Sequence, residues 1–228
     1  MDLTRRFTAE FLGTALLLAS VVGSGIMGER LAGGSVGLAL LANSTATGAA
    51  LVALILAFGP VSGAHFNPAV TLADAWQGGV RWREVPAYVA AQIAGAFSGV
   101  ALAHGMFGEP LFAASTKARS GGAQLLGELV ATFGLLAVIW GVSRRRAAAV
   151  PFAVGAYIAA GYWFTSSTSF ANPAVTLARA ATNTFTGIRP ADVPGFIAAQ
   201  LAGAAAATLV FGWLVPKRPG DELRGGPE

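Results

Sequence analysis

Residues 62–73 read Ser62-Gly63-Ala64-His65-Phe66-Asn67-Pro68-Ala69-Val70-Thr71-Leu72-Ala73, and the last seven recur unchanged as Asn172-Pro173-Ala174-Val175-Thr176-Leu177-Ala178. Proline suits the first position of a helix, where its missing N–H is no loss and its φ is already near the helical value. Pro68 and Pro173 therefore open helices, with Asn67 and Asn172 at the N-caps. An Asn there accepts from the first-turn amides through its side-chain oxygen and leaves its NH₂ donors to face what lies ahead. Ala69 and Ala174 are small enough for two such tips to pack closely. Each segment continues for about ten helix-compatible residues, or roughly 15 Å, half of a hydrocarbon core of about 30 Å.

The surrounding composition says that lipid is the solvent. Of the 228 residues 54% are hydrophobic and 11% charged, whereas soluble domains carry about a quarter charged residues. No Asp, Glu, Lys or Arg occurs between Leu31 and Ala73, or between Ala147 and Ala178. The basic excess lies in connections between apolar stretches, which fits membrane orientation and not nucleic-acid binding. Arg5 and Arg6 before an apolar run resemble a signal peptide, but Glu10 interrupts the run and a similar segment recurs at Gly127, so residues 7–27 are read as a mature helix. Cysteine is absent and His65 and His104 are the two histidines. That composition predicts no disulfide, no metal site, no cofactor and no Cys–His or Ser–His–Asp chemistry, and hence no enzyme.

The chain is a duplication. Ala9-Glu10-Phe11-Leu12-Gly13-Thr14 resembles Gly127-Glu128-Leu129-Val130-Ala131-Thr132, and Ala90 to Ala96 nearly matches Ala198 to Ala204. The offsets are 118 residues from Glu10 to Glu128, 105 from Asn67 to Asn172 and 108 from Gln92 to Gln200. Each half holds three apolar segments, 7–27, 36–59 and 85–106, then 123–142, 149–165 and 193–214. Three crossings per half is odd, so the second half enters from the opposite face, an inverted repeat with its site at the midplane. The expected fold is all-α: six transmembrane helices plus two re-entrant half-helices. It forms one channel domain over 1–215, made of repeats at about 1–115 and 120–215, with a disordered cytoplasmic tail over 216–228. With both termini cytoplasmic, ten of the fifteen basic residues lie inside, the Arg144-Arg145-Arg146 cluster foremost, which satisfies the positive-inside rule.

Two helix N-termini aimed at one point concentrate positive potential there, each carrying about half a unit charge. Cations and a proton hopping along a water file are repelled, while oxygens of water or a solute accept from Asn67 and Asn172. The preceding stretches, 63–66 and 167–171, run extended and present carbonyls, as irregular backbone at that depth does only where it lines water or protein.

The repeat, the paired Asn-Pro-Ala loops and Ser62 to Thr71 resemble the aquaporin and aquaglyceroporin family across nearly the whole chain. The resemblance implies the aquaporin fold, a homotetramer with one pore per subunit in the lipid bilayer, and roles for Glu10 and Glu128 in bracing the two re-entrant loops, while His65 is read as supporting its own loop by bonding within it. It also implies a filter outside the midplane. Counting back 20 from Asn67 gives Thr47, counting back 12 and 3 from Asn172 gives Ala160 and Ser169, and counting on 3 gives Val175.

Family members usually carry an arginine where Val175 stands, and Arg179, one turn later, is read as a loop anchor. A valine there removes a positive charge and five donors. The filter is thus expected to be wide and weakly polar, passing water, glycerol, urea or arsenous acid, with an enhanced leak of protons or cations. A similar bacterial subgroup, associated with arsenic resistance, has the valine and a threonine on the second span; that likeness implies the inner membrane. The competing readings are an inverted-repeat secondary transporter, which needs an intramembrane charged coupling site, and a purely structural adhesion role.

Overall fold

The computed structural model describes residues 2–215. The expected disorder of 216–228, and the basic residues Lys217, Arg218 and Arg224 within it, lie outside the described residues. Eight α-helices follow one another: α1 (Leu3–Leu31), α2 (Val36–Ser62), α3 (Pro68–Trp76), α4 (Val85–Phe107), α5 (Gly122–Arg146), α6 (Val150–Phe164), α7 (Pro173–Arg179) and α8 (Val193–Leu214). No strand occurs among the described residues. Five of the six expected spans fall wholly inside a long helix, and the sixth, 149–165, overruns α6 by one residue at each end.

The stretch Gly122–Phe164 is helical almost throughout its 43 residues and is interrupted in its apolar character by Arg144, Arg145 and Arg146. It folds back on itself because the turn Ala147–Ala149 tightens to a 3₁₀ helix and Pro151 starts the next helix, so α5 and α6 pack together as two crossings. The three arginines at the end of α5, Arg144 to Arg146, sit where the helix dipole favours cations.

Packing follows the duplication. α1 lies against α2 and α4, and α5 lies against α6 and α8 in the same way. α2 and α6 join the halves, while α3 and α7 are each held between α4 and α8. The seams require glycine. A Cβ at Gly95 would collide with the Phe11 carbonyl oxygen, one at Gly99 with that of Ala15, and one at Gly203 with that of Leu129. At the seam between the halves, Gly48 and Gly155 each press on the other's carbonyl oxygen. Lipid supplies no hydrophobic drive between helices, so this backbone approach provides the packing contacts that hold them.

Candidate functional site: two re-entrant loops around one cavity

Gly63, at φ 90°, ends α2 and turns the chain back toward the interior. Ala64 and Phe66 follow with φ of 50° each, and the second loop repeats the pattern at Thr168, Ser169 and Ala171 with φ of 62°, 49° and 49°. Left-handed backbone at non-glycine residues is strained and persists only where its surroundings fix it. The fixing groups are two buried glutamates. The Glu10 carboxylate accepts from the His65 and Phe66 amides at 3.0 and 2.7 Å, from Ser62 Oγ at 2.6 Å and from Gln92 Nε2 at 2.8 Å. Glu128 accepts from the Phe170 and Ala171 amides at 2.8 and 2.9 Å and from Gln200 Nε2. Gln92 and Gln200 also donate to Thr71 and Thr176, tying each half-helix to α4 or α8. Glu10 and Glu128 thus occupy equivalent places, each beneath one re-entrant loop.

At the tips, Asn67 Oδ1 accepts from the Ala69 amide at 2.9 Å, and Asn172 Oδ1 from Ala174 and Val175 at 3.0 and 3.2 Å. What lies ahead of each NH₂ group is in part the opposite loop. Asn67 Nδ2 donates to the Ala171 carbonyl oxygen and Asn172 Nδ2 to that of Phe66, both at 2.7 Å. Each amide has two N–H donors, so one bridges to the opposite loop and one is left for the cavity. The bridges bring the two tips together in the interior, with both Asn side chains buried.

A cavity of about 350 Å³ runs past these tips and is lined from both halves. Thr47, Ser169 and Val175 line it together, all buried, and the Ser169 Oγ has no hydrogen-bond partner among the described residues. Ala160 does not join them. It is exposed on the outer side of α6, and Tyr162 is the side chain that α6 presents instead, buried with its hydroxyl 3.3 Å from Thr47 Oγ1. The reason is helical phase: Val150, Val154, Ile158 and Tyr162 recur every four residues and all line the cavity, whereas a residue two positions away points to the far side. That period of four is legible in the sequence. It places an aromatic ring and a hydroxyl where only small side chains were expected.

Side chains at and behind the two cavity ends matter further. His65 Nδ1 lies 3.1 Å from Thr71 Oγ1 and its Nε2 3.7 Å from Asp74 Oδ2, so His65 does bond within its own re-entrant segment. At the other end Arg179 is buried, donates from Nε to the Thr186 carbonyl, and holds its guanidinium carbon 3.3 Å from the centroid of Phe170. The loop-anchoring reading of Arg179 therefore describes its Nε, yet the same side chain lines the cavity. Arg119, in the connection between α4 and α5, lies 4.9 Å from the same ring and donates to the carbonyls of Gly187 and Ser167 at 2.9 and 3.2 Å. Burial draws the Arg119 guanidinium down to about 10, so it is still charged near neutrality. No group of three or more His, Cys, Asp or Glu among the described residues is placed to hold a metal ion.

Comparisons with known proteins agree with this arrangement. The family model described as major intrinsic protein matches residues 1–170. An aquaglyceroporin, AqpS, of Rhizobium meliloti (strain 1021) is 58% identical over 219 residues, spanning 96% of this chain and 94% of that one. Aquaporin NIP1-3 of Oryza sativa subsp. japonica is 34% identical over 92% of this chain and 75% of its own length. The X-ray structure of the aquaglyceroporin from Plasmodium falciparum superposes with a TM-score of 0.72 at 25% identity, covering 92% of this chain and 94% of that one.

Proposed function

We propose, since this chain belongs to the major intrinsic protein family, that it is a passive channel for small uncharged solutes in a lipid bilayer. Water and glycerol are the first solutes, and urea and arsenous acid extend the same class. The observation that carries the reading is the pair of Asn-capped half-helices, bridged tip to tip beside one cavity with Asn67 and Asn172 in its wall. A solute oxygen there accepts from the remaining N–H of each Asn, while the two helix N-termini disfavour a proton or cation. The centre of the cavity carries amides and apolar walls in place of the charged coupling site that an ion-driven transporter needs.

The filter in this reading is Thr47, Tyr162, Ser169 and Val175. Its polar groups are hydroxyls, which both donate and accept, so a polyol or a neutral hydroxy acid can exchange water for wall contacts in either sense. The termini are cytoplasmic, with Arg5, Arg6, Arg81, Arg83 and Arg144 to Arg146 on that side, and the membrane is the bacterial inner membrane. The assembly is a homotetramer, and exposed apolar residues such as Leu12, Leu16, Leu38, Leu41, Leu126 and Leu209 face lipid or a neighbouring subunit. Mercurials have no thiol to attack, so they leave the flux unchanged.

Stopped-flow swelling of proteoliposomes in water, glycerol, urea and arsenous acid tests the proposal. Flux of glycerol or a larger neutral solute, linear in its gradient, is the expected result. Water flux alone contradicts the solute range, and a saturable rate tied to an ion gradient favours a transporter.

A further inference from the structure

The outer end of α7 carries a charge that the filter just described does not use. Arg179 is 2% exposed and lines the cavity. Among the described residues it joins no ion pair, and the one hydrogen bond of its side chain is from Nε to the Thr186 carbonyl. The groups in direct contact with its guanidinium are neutral, that carbonyl and the face of Phe170, and the Glu128 carboxylate acts on it only from beyond contact distance. The Arg119 guanidinium likewise touches no carboxylate, contacting carbonyls, the Thr168 hydroxyl and the same ring, while its backbone amide donates to Asp192. Burying a guanidinium with no counter-charge in contact is costly, and ionisable groups that persist at membrane depth beside a water path mark ion selection.

Position matters as much as charge. Arg179 follows Val175 by four residues on α7, so the two lie on one face of that helix with Arg179 a turn further from the tip. Phe170 and the Thr186 carbonyl limit how far the side chain can swing. A full unit charge fixed beside a narrow cavity exceeds the partial charge, about half a unit, that each half-helix contributes at the tips.

We propose that Arg179 is the cation barrier of this pore, a specificity-determining residue standing one helical turn outside the Val175 position. The inference rests on the channel reading above and replaces the expected leak with exclusion at the outer mouth. Neutral solutes pass a fixed charge with little penalty, whereas a cation meets like-charge repulsion between low-dielectric walls. Arg119 acts as a positioning residue, holding Phe170 and the loop carbonyls at 167 and 187 around Arg179.

Urea and guanidinium make the test, because they are nearly isosteric and differ in charge. In proteoliposomes the readout is the ratio of guanidinium to urea permeability for the parent, Arg179→Met and Arg179→Lys. A unit charge about 6 Å away at an effective dielectric near 20 corresponds to roughly a hundredfold in rate. Arg179→Met should raise the ratio by about that factor, and Arg179→Lys should return it to near the parent value. A ratio for Arg179→Met within about threefold of the parent, with urea flux still present, overturns the proposal. Absence of water, glycerol and urea flux alike in the parent overturns the channel reading instead. If Arg179→Met carries no urea flux, Val175→Asp decides: a carboxylate one turn away neutralises Arg179 in place, and the ratio must rise for the proposal to stand. Arg119→Met should raise the ratio by a smaller factor, which Arg119→Lys reverses.

Discussion

The loop before Asn67 and the loop before Asn172 have the same backbone and different walls. At an offset of 105 residues, Gly63, Ala64 and Phe66 correspond to Thr168, Ser169 and Ala171, and all six have positive φ. Glu10 and Glu128 accept from equivalent amide pairs. The same offset sets His65 against Phe170 and Asp74 against Arg179. One mouth thus pairs an imidazole with a carboxylate, and the other pairs an aromatic ring with a guanidinium. Val70 and Val175 also correspond, and both line the cavity. The lesson is a division of labour: the repeated residues build the re-entrant backbone, and the positions where the halves differ give each mouth its chemistry.

The sharpest way to break that comparison is to remove the braces one at a time. Glu10 holds four donors and Glu128 three, because Ser62 donates to Glu10 while its counterpart Ser167 contacts Thr165 instead. With about 1.5–3 kcal/mol for each hydrogen bond to a charged group, Glu10→Ala should cost at least about 3 kcal/mol and abolish glycerol flux. Glu128→Ala should cost somewhat less. Thermal unfolding in detergent, read beside vesicle swelling, ranks them, and the reverse order would mean that the loops are not braced alike.

Val175→Arg comes next in size. A guanidinium at that point narrows the outer constriction and should cut glycerol and urea flux by roughly tenfold or more while water flux falls less. Equal loss for all three solutes would show that Val175 does not set the size limit.

A smaller effect separates Tyr162 from Ala160. Tyr162→Ala removes the ring and hydroxyl beside Thr47 and should shift the glycerol-to-water ratio by about tenfold. Ala160→Leu, on the exposed side of α6, should change it by less than about twofold. A strong effect at Ala160 would return that residue to the filter. Least in magnitude is Thr168→Gly. Thr168 holds φ 62° where the first loop has Gly63, so relieving it should add about 1 kcal/mol, a shift of about 2–4 °C in the unfolding midpoint. The mirror change, Gly63→Thr, should subtract a similar amount.

Much of this was legible beforehand, for identifiable reasons. Helix extents followed from apolar length and from Pro68 and Pro173, because a bilayer imposes one length on every crossing. The half-helices followed from an Asn-Pro pair repeated in register. What escaped were side chains whose direction depends on exact helical phase or on distant contacts. Tyr162 was missed although the period of four from Val150 was visible. The amide bridges from Asn67 and Asn172 to the opposite loop join residues more than 100 positions apart, and no local pattern encodes them. The seam at Gly48 and Gly155 was likewise hidden, since two single glycines on different helices reveal nothing until the helices cross. Arg179 showed its distance from Val175 but not Phe170 and Thr186 closing around it.

Those amide bridges have a mechanical consequence. Each half grips the other through a donor on its own tip and a carbonyl on its neighbour's, so the clasp is reciprocal and neither tip can retreat alone without breaking both links. The waist is therefore a rigid ring, set once at folding, and any opening or closing of the conduit has to occur toward one of its ends. A chain carrying only one half would leave half of each clasp empty, and would need a second copy, inserted upside down, to fill it.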